Sequence, residues 1–349
     1  DPLEQLVIDD ELRRAGVRRP QNMIGIGWAG PTIIHAGTEA QKNRYLFPLL
    51  AGEEIWCQLF SEPGAGSDLA NLGTRAVRDG DEYVVNGQKI WTSLAHHSAF
   101  GILIARTDPD VPKHRGISYF ICPMDAPGIE IRPIVEMTGG HTFNEVFFTD
   151  VRIPAENLVG AEHEGWGLAK VTLGNERVSL SGGGALWGNG PSAEDLFALV
   201  HADGGTRDPI ERQRLAQLYT EAEILRLIRL RTVSAAVAGR QPGPEASIRK
   251  VLADEHGQHI MALAKDRRGA AGMLAGILPG ETVIGADQLA WSDPGFWHFG
   301  FLFAQALTVG GGTGDVQRNI LAERVLGLPH DVDVEADLTW AEAQRAPSR

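Results

Sequence analysis

Near its C-terminus the sequence contains a glycine-rich segment whose residue types could serve anion binding or catalysis. In LTVGGGTGDVQRNILAERVLGLP (307–329), three consecutive glycines, Gly310–Gly312, are followed by Thr313, Gly314 and Asp315 and then by a helical pattern. A nucleotide triphosphate loop ends in Gly-Lys-Ser/Thr, and this segment does not. A helix N-terminus would nevertheless offer unpaired N–H groups to a negatively charged oxygen. The sequence therefore argues against an ATP site here and leaves the purpose of the glycines open.

Two other motifs have the spacing of functional sites but lack the required context. GIGWAG (25–30) matches GxGxxG, yet no predicted strand precedes it, so a dinucleotide-binding turn is not expected. His256 and His259 lie three residues apart on a predicted helix, and the sequence pattern does not single out a third ligand. That pattern favours a packed or solvated histidine pair over zinc ligands. No metal site is predicted.

The composition is that of an acidic globular protein. The 349 residues are 43% hydrophobic, and the formal net charge is −13. This balance argues against a nucleic-acid-binding surface. No apolar run approaches the roughly 18–20 residues of a membrane span, so no membrane segment is expected. Cys57 and Cys122 are far apart in the sequence, which predicts a reduced, cytoplasmic protein without a disulfide framework.

The hydrophobic pattern predicts helices, then a β-domain, then a helical bundle. Short β-branched and aromatic runs between 55 and 155 predict an antiparallel barrel or sandwich of roughly six to eight strands, with a type I′ turn at Asn86-Gly87. Helical patterns are found at 4–18, 31–51, 166–187, 209–239, 244–266, 296–307 and 315–327. The predicted fold class is α+β, with domains at 1–54, 55–160 and 161–349.

Two segments at a fixed spacing carry a family resemblance. They are SEPGAGSD (61–68) and NGQKIWTS (86–93), and KHRGIS (113–118) and NEVFFTDVRIP (144–154) follow them. The sequence resembles the acyl-CoA dehydrogenases, whose flavin-binding β-domain has a TEPGAGSD-like motif followed by an NGxKxWIT-like motif. The resemblance covers essentially the whole chain. It implies the fold of that family, with the first helices of the usual fold absent from this sequence.

The resemblance implies an FAD site and an acyl-CoA substrate. Trp91 would offer a flat aromatic face to the isoalloxazine ring, and Ser67 would lie near both the flavin and the acyl-CoA. By family position, the other flavin-lining residues are Gln58, Phe60, Ser61, Ser93, Thr313 and Asp315. The alternative interpretation is that Pro63–Gly66 is only a tight turn and that Trp91 is an ordinary core residue.

The family reaction needs a carboxylate base, which removes the proton α to the thioester carbonyl while the β-hydrogen leaves as hydride to flavin N5. In many members the glutamate precedes a Gly-Thr pair, where this sequence has Gly311. In the isovaleryl and long-chain types it lies on another helix, in a segment like LERLVLAGG. Glu176 and Arg177 of LGNERVSLSGGG (173–184) match that segment.

The resemblance therefore implies that Glu176 is the base, that Arg177 contacts substrate, and that the Gly311 backbone N–H donates to the thioester oxygen. Leu173 and Leu180 flank Glu176, which predicts an inward-facing side chain. The alternative is a surface glutamate of an ordinary helix.

Two family segments that contact the pyrophosphate and adenine end of FAD have poor matches here, in 204–215 and 267–274. Similar departures, including GGGT (310–313) followed by VQR (316–318) and the glutamate of the ERV segment (176–178), resemble actinobacterial acyl-CoA dehydrogenases of steroid side-chain breakdown, which are α2β2 heterotetramers. The resemblance implies an unlike partner subunit, or otherwise a homotetramer, with an electron-transfer flavoprotein as acceptor. Gly182–Gly184, with Gly183 assigned to the substrate, would suit either a bulky acyl group such as a steroid or close helix packing.

Three functions follow from these observations. The first is FAD-dependent α,β-dehydrogenation of an acyl-CoA thioester to a trans-2-enoyl-CoA. The second is a flavin monooxygenase on the same fold, which would not need Glu176. The third is a non-catalytic subunit that stabilises a catalytic partner, which would show no flavin turnover.

Overall fold

The computed structural model describes residues 22–180, 184–187, 190–240, 243–273 and 295–345, with isolated positions before residue 22. At 177–180 it describes the backbone but not the side chains. The helix predicted at 4–18 therefore lies largely outside the described residues. The division into domains at 1–54, 55–160 and 161–349 stays a prediction.

The chain divides into two compact units. The β unit comprises residues 20–136, 141–176 and 331–349, and the helical unit comprises 1–19, 137–140 and 177–330. None of the helices in the described part of the chain combines the length and the apolar character needed to cross a bilayer.

Two helices begin the β unit where a single helix over 31–51 is predicted. They are α1 (Gly30–Ala36) and α2 (Glu39–Ala51). Thr38 caps α2, because its side chain accepts the Gln41 N–H at 3.2 Å while the Gln41 side chain accepts the Thr38 N–H at 3.0 Å. This reciprocal capping box starts a new helix, so the prediction of one continuous helix is wrong.

Eight strands of the described residues form one sheet in the β unit. They are β1 (Trp56–Leu59), β2 (Arg75–Asp79), β3 (Glu82–Ser93), β4 (Phe100–Arg106), β5 (Ile117–Pro123), β6 (Ile129–Pro133), β7 (Phe143–Pro154) and β8 (Leu158–Val159). The order is β6-β7-β3-β2-β4-β5-β8, and β1 pairs with β4. The β1–β4 and β2–β4 pairs are parallel. The other strand pairs are antiparallel as predicted, so the sheet is mixed and departs from the predicted antiparallel arrangement only at these two pairs.

The hairpin turn lies earlier in the chain than predicted. β2 and β3 are joined at Gly80-Asp81, where Gly80 has a φ of 65°. Asn86-Gly87 lies inside β3, and a Cβ added at Gly87 would stand 2.5 Å from Thr74 Oγ1. The predicted turn at Asn86-Gly87 is wrong, since this glycine serves the close approach of a neighbouring segment.

Helices dominate the second unit and confirm the α+β class. α3 (Gly165–Leu180) runs into it from the β unit, and the following helices are α4 (Ala193–Ala202), α5 (Pro209–Val237), α6 (Ala246–Arg268), α7 (Phe296–Phe303) and α8 (Gly314–Arg324). α4 is a helix that the sequence pattern did not predict. Large apolar side chains form the core of this unit, among them Leu196, Met261 and Trp297. A short helix, α9 (Trp340–Arg345), belongs to the β unit.

A buried ion pair fastens two segments of the β unit. The fully buried Lys89 donates from Nζ to Glu62 Oε1 at 2.7 Å and to the Phe60 carbonyl at 2.9 Å. Glu62 also accepts the N–H groups of Gly73 and Thr74, at 2.6 and 2.9 Å. Burial acts to raise the pKa of Glu62, but Lys89 and these hydrogen bonds outweigh it, so the pKa falls below its usual value.

We expect Glu62→Gln to lower the free energy of unfolding by about 3–5 kcal/mol at neutral pH, because it leaves the Lys89 charge buried without a counter-charge. Because the folded-state pKa of Glu62 is lowered, the stabilisation is present above the usual glutamate pKa of about 4.3. It is lost as pH falls through the folded-state pKa.

Urea unfolding at a series of pH values measures both effects. Glu130→Gln is the matched control, because Glu130 pairs with Arg132 on an exposed strand, and its unfolding midpoint should match that of the wild type. A Glu62→Gln variant as stable as the wild type at neutral pH would contradict the prediction.

Candidate active site

The two motif segments, 61–68 and 86–93, are hydrogen-bonded to each other. The Ile90 N–H donates to the Ser61 carbonyl at 2.9 Å, next to the buried Lys89–Glu62 pair. Glu62 and Ala65 exchange both of their backbone hydrogen bonds at 3.1 Å, which closes a tight turn within the first motif. The first motif is thus fixed against the strand that carries Trp91.

Trp91 is held out of the core in a strained conformation. Its side chain is 57% exposed, and it lies where the β3–β7 register shifts between Lys89 and Thr92. Its φ of 61° is left-handed, which costs a non-glycine residue about 1–2 kcal/mol. Strain and bulges of this kind cluster at functional sites. The alternative interpretation of Trp91 as an ordinary core residue is wrong.

Phe60, just before the first motif, and Ser93, at the end of β3, are both less exposed than Trp91. Phe60 is 2% exposed and meets the Tyr119 ring edge-on at a centroid distance of 6.0 Å. Its carbonyl already accepts the Lys89 ammonium. Ser93 ends β3 opposite Phe143 and is half-buried. Phe60 is therefore part of the core beneath the two motifs, while Ser93 stays partly accessible.

Ser67 lies on an exposed loop with open space beside it. A Cβ added at Gly64 or Gly66 would meet no atom within 4 Å, so the packing of this chain does not require either glycine. The next residue, Asp68, pairs with Lys113 of the KHRGIS segment, with 2.9 Å between Oδ2 and Nζ. This loop therefore has room for a ligand to approach its backbone closely.

A buried polar cluster sets the position of α3. Thr172 Oγ1 lies 2.8 Å from Thr32 Oγ1 and 3.0 Å from the Tyr119 hydroxyl, within hydrogen-bond distance of both. Thr172 and Glu176 are four residues apart, so they share one face of the helix. Sequence reasoning missed this cluster, because its members are single polar residues from three distant segments without a common motif.

Glu176 is buried, with 6% of its surface exposed, and it faces β1. Gln58 donates from Nε2 to Glu176 Oε2 at 3.2 Å. Gln58 Oε1 is buried and has no hydrogen-bond partner in the described part of the chain. The predicted inward orientation of Glu176 is confirmed, while its role as a base stays a prediction.

In the helical unit, the glycine segment has a backbone that only glycine adopts easily. Gly311 has a φ of 68° and Gly312 a φ of 88°. A Cβ added at Gly310 would stand 2.6 Å from the Trp187 ring. The left-handed backbone at Gly311 and Gly312 and the close approach of Trp187 to Gly310 therefore account for the three glycines.

Thr313 and Asp315 begin α8 with different degrees of exposure. The Thr313 hydroxyl accepts the Val316 N–H at 3.2 Å and thereby caps the helix. The Asp315 side chain is 96% exposed. The Arg177 side chain and Gly183, both assigned to substrate, lie outside the described residues. Contacts of Thr313 and Asp315 with a flavin stay predictions.

The two motifs set aside from the sequence have structural explanations. GIGWAG lies within a helical stretch that leads into α1, which agrees with the expectation that it is not a dinucleotide-binding turn. His256 and His259 both contact Glu221 of α5, with Nδ1–Oε distances of 2.8 and 3.2 Å. The sequence alone did not indicate that Glu221 contacts both histidines. Within the described residues no group of three potential ligands could hold a metal ion.

Comparison with known proteins identifies the family. Residues 57–151 match the family model for "Acyl-CoA dehydrogenase, middle domain", and residues 163–326 match "Acyl-CoA dehydrogenase, C-terminal domain". The chain is 40% identical to the acyl-CoA dehydrogenase IpdE1 of Mycobacterium tuberculosis, over 92% of this chain and 79% of that protein. The chain belongs to the acyl-CoA dehydrogenase family.

Another relative and a solved structure are similar over most of this chain. The acyl-CoA dehydrogenase FadE34 of Mycobacterium tuberculosis is 43% identical over 94% of this chain, but the match spans only 43% of FadE34. The solved Tcur3481-Tcur3483 steroid ACAD is 35% identical, with a TM-score of 0.80, and the match covers 94% of this chain and 82% of that chain. This chain thus spans less than half the length of FadE34.

We expect Trp91→Ala to change the free energy of unfolding by less than about 1 kcal/mol, because the side chain is exposed and its backbone is strained. Trp56→Ala is the matched comparison, since Trp56 is fully buried, and it should cost about 3–5 kcal/mol. Denaturant unfolding without added flavin measures both variants. Equal losses would show that Trp91 contributes to the core.

Proposed function

We propose that this chain is the base-bearing subunit of an FAD-dependent dehydrogenase that converts an acyl-CoA thioester to a trans-2-enoyl-CoA. The observation that carries the proposal is the buried carboxylate of Glu176. It accepts a hydrogen bond from Gln58 and lies on α3, the helix that Thr172 holds in position. Burying a carboxylate is costly unless its hydrogen bonds or its function compensate. A buried carboxylate in a family that removes α-protons is therefore best explained as the base.

The residues of the β unit fit a bound flavin. The exposed, strained Trp91 ring offers an aromatic face, and the open space at Gly64 and Gly66 admits a close approach. Gln58 Oε1 is a buried acceptor that lacks a donor among the described residues. Ser61 and Ser93 would add hydroxyls. When bound, FAD would accept the β-hydrogen of the acyl group as hydride.

The chain's own residues would handle the proton and the developing charge. Glu176 would take the proton α to the thioester carbonyl, and Gln58 would hold the carboxylate in one orientation through its N–H. The Gly311 N–H would donate to the thioester oxygen, where negative charge develops as the proton leaves. Ser67, Arg177 and Gly183 would contact the acyl-CoA.

The substrate is proposed to carry a bulky acyl group, and the enzyme to assemble with an unlike acyl-CoA dehydrogenase subunit. Support comes from the similarity to the Tcur3481-Tcur3483 steroid ACAD and from the weak sequence matches at 204–215 and 267–274. An electron-transfer flavoprotein is the proposed electron acceptor.

We expect Glu176→Gln to slow acyl-CoA-dependent bleaching of the flavin at least about 10²-fold, because the amide cannot accept the α-proton. Stopped-flow absorbance of the flavin-loaded enzyme measures the rate. Glu164→Gln, at an exposed position just before α3, is the control and should behave as the wild type. Wild-type bleaching in Glu176→Gln would refute the base. Oxygen consumption with externally reduced flavin would instead favour the monooxygenase.

We also expect a stable complex when this chain is expressed with an unlike acyl-CoA dehydrogenase subunit from the same operon or gene neighbourhood. Size-exclusion light scattering and flavin stoichiometry give the composition, and steroid-CoA and straight-chain acyl-CoA thioesters are compared as substrates. A homotetramer with one flavin per chain would contradict the heteromer. A flavin-loaded complex that turns over no thioester would favour the non-catalytic subunit.

A further inference from the structure

The carbonyl of Leu307 has an unusual hydrogen-bond donor. Just before it, the Gly310 N–H donates to the Ala306 carbonyl at 2.9 Å, as in an α-helix. If the helix continued, the Gly311 N–H would donate to the Leu307 carbonyl four residues earlier. Instead, Lys250 of α6 donates from Nζ to this carbonyl at 3.0 Å. A side chain therefore takes the place of the Gly311 amide.

Lys250 is a buried charge held by a second buried charge. It is fully buried, and Asp254, one turn later on α6, is 3% exposed and forms an ion pair with it. Gln258, a further turn along the same helix face, donates to the Ala304 carbonyl at 3.1 Å. Desolvating two charges inside a helical core is costly. Lys250 and Gln258 bond to the carbonyls at the two ends of residues 304–307, which indicates that this face of α6 holds the segment in place.

Beyond Leu307 the backbone leaves the helix. Gly311 and Gly312 have left-handed φ values of 68° and 88°, and the Gly314 N–H returns to the Thr308 carbonyl at 3.0 Å. Within the residues that the structure describes, the Gly311 amide has no hydrogen-bond acceptor. The Lys250 contact thus coincides with the residue at which the helical pattern of hydrogen bonds stops.

We propose that Lys250, held by Asp254, is a positioning residue that occupies the Leu307 carbonyl and thereby keeps the Gly311 N–H available for the thioester oxygen. The part of this inference that concerns the thioester rests on the proposed function. The part that concerns the Gly311 amide does not rest on the proposed function, because it follows from hydrogen bonds within the helical unit alone.

The test is the double variant Lys250→Met/Asp254→Leu, which removes both charges and keeps apolar volume in the core. Residue-resolved hydrogen–deuterium exchange should show slower exchange of the Gly311 amide, by at least about tenfold, because the Leu307 carbonyl becomes free to accept it. In the flavin-loaded enzyme, kcat should fall about 10²–10³-fold, the usual effect of losing one oxyanion donor, with little change in KM. Asp254→Asn alone retains the Lys250 donor and should leave Gly311 exchange fast.

The control is Arg214→Met/Asp266→Leu, which removes an exposed ion pair between α5 and α6 and should alter neither measurement. If the Lys250→Met/Asp254→Leu variant does not fold, Lys250→Leu/Asp254→Asn, in which residue 250 likewise has no hydrogen-bond donor for the Leu307 carbonyl, makes the same test. Unchanged Gly311 exchange would overturn the inference. Slowed exchange with wild-type kcat would overturn the role in the reaction. A wild-type enzyme inactive on every acyl-CoA would defeat the proposed function, while the exchange result would still decide what Lys250 does.

Discussion

The buried pair of Lys89 and Glu62 is the interaction on which the candidate flavin site depends. One ammonium reaches both the Glu62 carboxylate and the Phe60 carbonyl, and the carboxylate also binds the backbone of Gly73 and Thr74. The first motif, the loop after it and strand β3 are thereby joined at one point. A buried charge pair is a poor source of net stability, but it is sensitive to geometry. This sensitivity suits a pair that must hold two segments in register.

The strain at Trp91 is understandable in this setting. Lys89 is anchored immediately before the bulge, and the Ile90 amide is bonded to Ser61. Because Lys89 and Ile90 are both held by these contacts, the extra residue of the bulge between β3 and β7 is accommodated at Trp91. The Trp91 ring is turned outward instead of into the core. A conformation that costs free energy persists only where its surroundings determine it. Here the cost falls on the aromatic residue that the family resemblance assigns to the flavin.

Buried polar groups lie next to the candidate base and next to the glycine segment. Thr172 bonds across to Thr32 and Tyr119 and so directs Glu176 toward Gln58. In the helical unit, Lys250 and Asp254 fix the carbonyl that precedes the glycine segment. Each arrangement replaces close apolar packing with directional contacts. Such contacts fix the orientation of a side chain or an amide more narrowly than apolar packing does.

The sequence by itself determined the family and pointed to the candidate base through its motif resemblance, and it determined the α+β class and the order helices, β-domain, helices through its hydrophobic period. Local signals failed where distant residues decide. Asn86-Gly87 reads as a turn but lies within β3, since the approach of Thr74 requires the glycine. The family resemblance assigned Gly311 to the position where many relatives have a glutamate, but the sequence did not show that the Gly311 backbone is left-handed or that Lys250 bonds to the Leu307 carbonyl. Contacts between segments far apart in the chain leave no periodic trace, so only the tertiary structure could decide them.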